Sequence, residues 1–195
     1  MLHPSGGSRR TPVRDWDHGA VDLDKLDQRG RLGGPADLRP IEERDVADVL
    51  ALNEAEVFWL APMDEGRLWE IHAVADQFLV VELDGRFAGF VVTVGPGTSY
   101  DSENYRWFGD RYGDSFSYLD RVALTAATRR RGVGSQVYDV AEAAARPFGR
   151  LALEVRQEPP NEVSLAFHRS RGFEPVGVLG DPGHRNTLMV KELAP

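Results

Sequence analysis

The spacing of hydrophobic residues along the chain changes between the periods typical of helices and of strands. Apolar residues recur every three or four positions in four stretches, as in Val137, Val140 and Ala141. This period places them on one face of a helix. Gly172 follows the last stretch at a position where glycine commonly ends a helix. The pattern predicts helices over residues 42–53, 64–75, 134–146 and 161–170.

Short apolar runs rich in β-branched and aromatic residues lie between these helices and indicate strands. The dipeptide Asp84-Gly85 separates two of them and is a strong signal for a hairpin turn. Strands are predicted over residues 37–41, 77–83, 86–94, 115–124, 151–155, 176–179 and 187–193. Because strands and helices are interspersed along the chain, the sequence predicts an α/β domain around one mixed sheet.

Two segments fit neither period. Residues 1–34 are rich in Gly, Pro, Arg and Asp, and such a segment cannot bury enough apolar surface to offset the entropy lost on ordering. We therefore expect a flexible N-terminal tail over 1–34 and a folded domain over 35–195. Residues 95–114 indicate a long polar and aromatic loop. Loops of that length are usually functional or disordered, and the aromatic side chains favour a function.

Composition excludes several kinds of site and partner. The chain of 195 residues has no cysteine, so disulfides, cysteine-ligated zinc and thiol nucleophiles are excluded. Its five histidines are scattered, so we expect no metal site. A net charge of -8 lacks the basic character of nucleic-acid-binding proteins. No apolar run is long enough to span a bilayer, and the first residues lack a signal peptide. We therefore expect a cytoplasmic protein with neither nucleic acid nor membrane as partner.

The segment between residues 118 and 138 carries the clearest candidate chemistry. A strand runs into Arg129-x-x-Gly132-x-Gly134, and a helix follows at once. The glycines leave the backbone open to a ligand, and a helix N-terminus offers unpaired N–H groups with a partial positive charge. Such a turn suits a pyrophosphate, and the arginines add charge for a further phosphate. The alternative interpretation is that the two glycines precede a helix by chance and that the arginines form a solvated surface.

Two motifs in the second half of the chain resemble a known family. The turn above, preceded by a strand ending Val122-Ala-Leu, is similar to the acetyl-CoA signature of the GNAT N-acetyltransferases. Residues 161–173, NEVSLAFHRSRGF, resemble that family's second motif, and the interval fits one helix and one strand. The resemblance extends over residues 37–193, and 99–108 and 154–161 are similar to a bacterial subgroup of predicted acetyltransferases. It implies the GNAT fold, a single mixed central sheet with helices on both faces, and acetyl-CoA as co-substrate.

The resemblance also implies how acetyl-CoA is held. Backbone groups of the strand before the turn would bind the pantetheine arm, the turn and the start of the helix would cradle the pyrophosphate, and the last helix would contact the pantetheine. The residues concerned are, in that order, Val122, Ala123 and Leu124, then Arg129, Arg130, Arg131, Gly132, Val133, Gly134 and Ser135, and finally Asn161 and Ser164. Asn161 is equally suited to be a helix N-cap, and the two roles are compatible.

Transfer of an acetyl group to an amine needs a base and benefits from an acid at the departing thiolate. The family often has a tyrosine where this chain has His168, whose imidazolium would be the acid unless the ring is structural. Asp120 is the first candidate base. It shares strand parity with Val122 and Leu124, so we expect the three side chains on one face. A salt bridge with a nearby arginine is the alternative for Asp120, and Glu154 is the second candidate base.

Three residues are candidates for binding the acceptor. Glu54 follows the first helix, where the family's substrate-binding helix ends. Tyr105 and Trp107 belong to the predicted aromatic loop, and aromatic faces attract cationic amines. The alternative for both is packing within the loop.

The resemblance implies an N-acetyltransferase that moves an acetyl group from acetyl-CoA to the primary amine of a small or amino-acid-like acceptor by direct attack. Two alternatives stay open: a protein or peptide N-acetyltransferase, and a module that binds or senses acyl-CoA without catalysis. The sequence also leaves open a homodimer. Acceptor identity is carried by loops outside the motifs, so the sequence does not name it.

Overall fold

A computed structural model describes residues 35–194 of the chain. The tail predicted over 1–34 lies outside the described residues. The described residues form seven strands: β1 (Asp37–Pro40), β2 (Gln77–Leu83), β3 (Arg86–Val94), β4 (Ser117–Leu124), β5 (Arg150–Arg156), β6 (Glu174–Leu179) and β7 (Asn186–Glu192). The α-helices of the described range are α1 (Val46–Ala55), α2 (Glu65–Val74), α3 (Glu103–Tyr112), α4 (Val133–Ala145) and α5 (Glu162–Ser170).

The strands form one mixed sheet in the order β1-β2-β3-β4-β5-β7-β6. Every neighbouring pair is antiparallel except β4 and β5, which run parallel. The turn at Asp84-Gly85 joins β2 to β3 as the dipeptide predicted. The α/β class and the single mixed sheet are confirmed.

The helices cover both faces of the sheet, because successive side chains of each strand point to opposite sides. On one face α1, α2 and α3 pack against side chains such as Phe90 and Val92. On the other face α4 and α5 pack against a separate core that includes Val91. The sheet is thus buried from both sides, as the family resemblance implied.

The loop predicted over residues 95–114 is wrong in part, because α3 occupies half of it. Ser102 caps the helix by accepting a hydrogen bond from the Tyr105 backbone N–H at 3.3 Å. Tyr105 and Phe108 are its buried side chains. The remaining residues are largely polar, so the helical period rests on very few apolar positions and is hard to recognise in the sequence.

Candidate active site

A gap opens between the two parallel strands at the centre of the sheet. β4 and β5 pair only at Ser117 with Leu151 and at Tyr118 with Ala152. Both strands then continue, β4 to Leu124 and β5 to Arg156, without pairing with each other. The facing edges therefore carry backbone N–H and C=O groups that are available to a ligand.

A β-bulge at Asp120 accompanies this separation. Val92 of β3 lies opposite Arg121, and Thr93 lies opposite Leu119, so Asp120 has no opposing residue. A bulge shifts the alternation of side chains and re-aims the residue at the bulge. The predicted common face of Asp120 with Val122 and Leu124 is therefore wrong. Val122 and Leu124 pack against the core beneath α4 and α5, whereas Asp120 bonds to residues on the opposite face.

The carboxylate of Asp120 is held on both oxygens. The Tyr100 hydroxyl donates a hydrogen bond to Oδ1 at 2.6 Å. The Arg121 Nε donates to Oδ2 at 3.0 Å, and both side chains of this ion pair are buried. Arg121 is also anchored to α1, because its Nη1 donates to the Asn53 Oδ1 at 2.8 Å. The salt bridge considered as the alternative for Asp120 is thus present.

Glu154 faces the gap from β5, and hydrogen bonds from Tyr118 and Asn104 hold its carboxyl group. The hydroxyl of Tyr118, which is fully buried, donates to its Oε2 at 2.6 Å. Removal from water raises the pKa of Glu154 to about 7, and the charge of Asp120 adds to the rise, while the hydrogen bond from Tyr118 opposes it. A carboxyl group with a pKa near neutrality exchanges protons readily at physiological pH.

Two clefts meet at the gap, one on each face of the sheet. The larger, about 540 Å³, lies on the face of α1 to α3 and is lined by residues that include Tyr100, Arg67 and Asn104. The smaller, about 130 Å³, lies on the face of α4 and α5. Asp120 and Glu154 line both clefts, so the two carboxyl groups stand where the clefts connect.

The turn before α4 has the geometry of an anion site. Gly132 adopts a left-handed conformation with φ of 78° and serves as N-cap without any side-chain hydrogen bond to the helix. The leading N–H groups of α4 therefore need another acceptor. Arg129 and Arg130 are exposed beside the turn, and Arg131 forms an exposed ion pair with Asp84 at 3.0 Å.

The smaller cleft is lined on one side by residues of α4 and α5. Asn161 and Ser164 line it, and the Asn161 side chain accepts a hydrogen bond from the Ser164 backbone N–H at 3.1 Å. The helix N-cap considered for Asn161 is thus present. His168 and Tyr138 line the same cleft, and the Tyr138 hydroxyl lies 2.6 Å from the His168 Nε2.

The hydrogen bonds of His168 define its protonation. Its Nδ1 lies 2.7 Å from the carbonyl oxygen of Ser164, which can only accept, so Nδ1 carries the proton. Burial lowers the pKa of His168, and a neutral ring leaves Nε2 as the acceptor for the Tyr138 hydroxyl. The ring therefore presents no N–H to the gap. This arrangement favours packing over the predicted acid role, which stays a prediction.

Three residues predicted to bind the acceptor lie elsewhere. Glu54 is exposed, and the neighbouring Asn53 is the buried residue, because Val46, Val49 and Asn53 form the inward face of α1. Tyr105 is buried and donates its hydroxyl to the Gly95 carbonyl oxygen at 2.7 Å.

Trp107 packs against β6, where a Cβ on Gly177 would lie 2.8 Å from its ring. Glu54, Tyr105 and Trp107 are absent from the residues that line either of the two clefts in the described part of the chain. We do not assign them to the site.

Sequence reasoning missed Tyr100, Tyr118 and Arg156. Arg156 was detectable, because it lies two residues after Glu154 on one strand and shares its face. The two tyrosines gave no signal, since their partners Asp120 and Glu154 are 20 and 36 positions away in the chain.

Two further findings concern the described residues 35–194. No group of three or more His, Asp or Glu side chains there is arranged to hold a metal ion. None of the helices in that range has the length and apolar character that crossing a membrane requires.

Comparisons with known proteins agree on the fold. The sequence model of the acetyltransferase (GNAT) family matches residues 45–173, more than half of the chain. Ard1 from Thermoplasma volcanium is 18% identical and superposes with a TM-score of 0.65 over 83% of this chain and 99% of that chain. For yncA from Salmonella typhimurium, solved with its cofactor acetyl-CoA, the identity is 21%, the coverage is 82% and 95%, and the TM-score is 0.59.

The ribosomal-protein-S18-alanine N-acetyltransferase from Escherichia coli is 16% identical over 82% of this chain and 95% of that chain, with a TM-score of 0.58. At these identities the likeness to solved structures shows the fold alone. No curated protein matches the sequence.

Proposed function

The chain belongs to the acetyltransferase (GNAT) family, and from that premise we propose that it moves an acetyl group from acetyl-CoA to the primary amine of a small, amino-acid-like acceptor. The observation that carries the proposal is the position of Glu154. A carboxyl group with a pKa of about 7 stands where the two clefts meet, beside the open edges of β4 and β5.

The smaller cleft and the turn before α4 fit acetyl-CoA. The uncapped first turn of α4 offers N–H groups to a pyrophosphate, with Arg129 and Arg130 exposed beside it. The unpaired edge of β4 at Val122 and Leu124 offers backbone groups to the amide-bearing pantetheine arm. Bound acetyl-CoA would supply the thioester. The fit supports acetyl-CoA as co-substrate and leaves the larger cleft to the acceptor.

Glu154 is the base in this proposal. An acceptor that enters as an ammonium ion gives one proton to Glu154 and becomes a neutral nucleophile. Its nitrogen then forms a bond to the acetyl carbon as the carbon–sulfur bond breaks. The nitrogen loses a second proton, the thiolate takes up one proton to leave as a thiol, and Glu154 returns its proton to water. One proton is released in each turnover.

Asp120 is the weaker candidate base, because both of its oxygens are already held. The Tyr100 hydroxyl donates to one oxygen and the Arg121 Nε donates to the other, so both oxygens already accept hydrogen bonds within the protein. We infer that Asp120 holds Arg121 in place and supports the pKa of Glu154 through its negative charge.

A second candidate is acetylation of a peptide or protein N-terminus. Val57, Phe58 and Trp59 are exposed apolar residues between α1 and α2, and Val57 and Trp59 line the larger cleft. Apolar side chains at the mouth of a cleft suit contact with a longer acceptor. Acetylation of free amino acids and of short peptides, measured side by side, separates the two candidates.

The test of the proposal is the pH dependence of acetylation by the wild type and by Glu154→Gln. In the wild type kcat/KM should rise with pH through a limb near pH 7, since the base works only when ionised. Glu154→Gln should lower kcat/KM by about 10²- to 10³-fold and abolish that limb. Thiol release from acetyl-CoA in the presence of an amine panel measures both.

Tyr118→Phe is the matched control, because it keeps Glu154 and removes the hydrogen bond that lowers its pKa. The limb should move to higher pH while the enzyme stays active. An unchanged rate in Glu154→Gln, together with loss of activity in Asp120→Asn, would transfer the base to Asp120.

A further inference from the structure

The larger cleft contains three arginines, and two of them are neutralised by carboxylates of the protein. Arg67 forms ion pairs with Asp101 and with Glu70. Arg121 is paired with Asp120 at 3.0 Å. Arg121 is thus compensated in a buried ion pair, whereas the carboxylates that pair with Arg67 are exposed. Both arginines already have carboxylate partners in the protein before any ligand arrives.

Arg156 is different. It has no ion pair with any carboxylate in residues 35–194, and its buried Nε has no hydrogen-bond partner there. The aromatic contact it makes is with Phe58, whose ring centroid lies 5.8 Å from the guanidinium carbon. A buried guanidinium N–H without an acceptor is unfavourable, so this position is suited to an anion that arrives with a ligand.

The distance between Arg156 and Glu154 indicates what kind of molecule would carry that anion. Glu154 and Arg156 lie two residues apart on β5 and project from one face of the sheet, with Cα atoms about 7 Å apart. Both line the larger cleft. An amine at Glu154 and an anionic group at Arg156 therefore belong to one compact molecule. Asn186 of β7 lies directly opposite Arg156 and adds an amide to the same wall.

We propose that the acceptor is a free α-amino acid, whose carboxylate is bound by Arg156 while its amine faces Glu154. The inference rests on the proposed function and specifies its substrate class. A guanidinium binds a carboxylate through two parallel hydrogen bonds and presents a geometry that an uncharged amide does not match. A peptide or protein N-terminus has an amide where the free amino acid has its carboxylate, so Arg156 discriminates against it.

The experiment compares the common amino acids with the corresponding amino acid amides as acceptors at pH 8. For the best amino acid, wild-type kcat/KM should exceed that of its amide by at least about 30-fold, because the charge-assisted pair is lost. Arg156→Gln should reduce this ratio to within about threefold, mainly through KM for the amino acid. Arg156→Lys should keep an intermediate ratio, and KM for acetyl-CoA should not change.

Arg67→Gln is the matched control, since it removes a cleft arginine that already has carboxylate partners. In Arg67→Gln, the ratio of kcat/KM for the amino acid to kcat/KM for its amide should stay close to the wild-type ratio. The proposal would be overturned if the wild type acetylated amides as efficiently as amino acids, or if folded Arg156→Gln kept the wild-type ratio. Neither result would contradict acetyl transfer itself.

Binding separates failure of the inference from failure of the proposed function. Calorimetric titration of the same amino acids and amides into the protein saturated with CoA requires no turnover. If the wild type binds an amino acid but not its amide, and Arg156→Gln loses this binding, the carboxylate site is supported. If no amine is acetylated in that case, the proposed reaction fails and the inference about Arg156 stands. The inference is overturned if the amino acid and its amide bind equally or not at all and the amino acid is not acetylated in preference to the amide.

Discussion

At the scale of single residues, the burial of Glu154 links its proposed role as the base to the stability of the fold. Its pKa of about 7 in the folded protein lies above the ordinary value of 4.5. The folded state thus binds this proton more tightly than the unfolded chain does. The resulting stabilisation is complete below about pH 4.5 and is lost as the pH rises through about 7. At pH 8 the ionised carboxylate therefore lowers the stability of the fold.

We expect Glu154→Gln to raise the melting temperature at pH 8, by about 2 to 5 °C, because the amide does not ionise. At pH 5, where Glu154 is mainly protonated, the variant and the wild type should melt much closer together. Thermal denaturation at the two pH values measures the effect. Glu54→Gln, at an exposed position, should change the melting temperature little at either pH. Equal melting of Glu154→Gln and the wild type at pH 8 would contradict the raised pKa.

His168→Phe tests the residue that replaces the family's tyrosine. The change leaves the buried Tyr138 hydroxyl without its partner Nε2, so the free energy of unfolding should fall by about 1 to 3 kcal/mol. The double variant His168→Phe/Tyr138→Phe should recover part of this loss, since neither polar group remains. Chemical denaturation of both variants and of Tyr138→Phe gives the three values.

The same variants decide the predicted acid role of His168. If His168 only packs, kcat measured well below the melting temperature should stay within about tenfold of the wild type in His168→Phe. A larger loss of kcat in His168→Phe, with Tyr138→Phe active, would support proton donation by His168.

At the scale of elements, the site depends on the start of α4 and on the separation of β4 from β5. α4 begins after Gly132 without a side-chain cap, and β4 leaves β5 beyond Tyr118. The bulge at Asp120 lies where that separation starts. A regular pair of parallel strands would occupy these backbone groups with each other, and the bulge also directs Asp120 towards Tyr100 and Arg121.

Ser135→Glu should separate the stability of α4 from the anion binding proposed for its first turn. Ser135 is exposed in the first turn, where a carboxylate interacts favourably with the helix dipole and stabilises the protein by about 0.3 to 1 kcal/mol. The same charge repels a pyrophosphate, so acetyl-CoA affinity should fall by about tenfold at low salt. Calorimetry and thermal denaturation measure the two effects.

Ser135→Gln is the neutral control and should bind acetyl-CoA more tightly than Ser135→Glu. The difference between the two variants should shrink at high salt, because screening weakens exposed charges. Equal affinities at low salt would place the pyrophosphate away from the start of α4.

At the scale of the whole molecule, two cores on opposite faces hold the sheet and place the clefts. The described chain is fastened at its beginning by Ala36, which is buried. Its N–H donates to the Gln136 Oε1 at 3.0 Å, and its carbonyl accepts from the Gln136 Nε2 at 2.7 Å. Gln136 belongs to α4, so the first described residues are tied directly to the helix that we propose for binding acetyl-CoA.

These contacts define where the chain can be shortened. Deletion of residues 1–34 keeps Ala36, and we expect a melting temperature within about 2 °C of the full chain and an unchanged affinity for acetyl-CoA. A deletion should not extend past Ala36. Deletion of residues 1–38 also removes both hydrogen bonds to Gln136 and part of β1. A large loss of stability on deletion of 1–34 would contradict the predicted domain boundary.

Much of the fold followed from local patterns. The helical period, the short apolar runs and the Asp84-Gly85 turn each concern a few neighbouring residues, and the elements they predicted are present. α3 was missed, because its buried face rests on Tyr105 and Phe108 within a polar stretch. The face of Asp120 was wrong, because strict alternation assumes a strand without a bulge.

The sequence alone therefore determined the α/β class, the family and the turn before α4, since each is carried by residue types at short, regular spacing. Only the tertiary structure decided which carboxyl group has its pKa raised by burial and which arginine of the larger cleft has no carboxylate partner among residues 35–194. Tyr118 reaches Glu154 across 36 positions, and Arg121 reaches Asn53 across 68. Burial, ion pairing and the pKa of a buried group depend on such distant neighbours, and no local pattern records which of them the folded chain brings together.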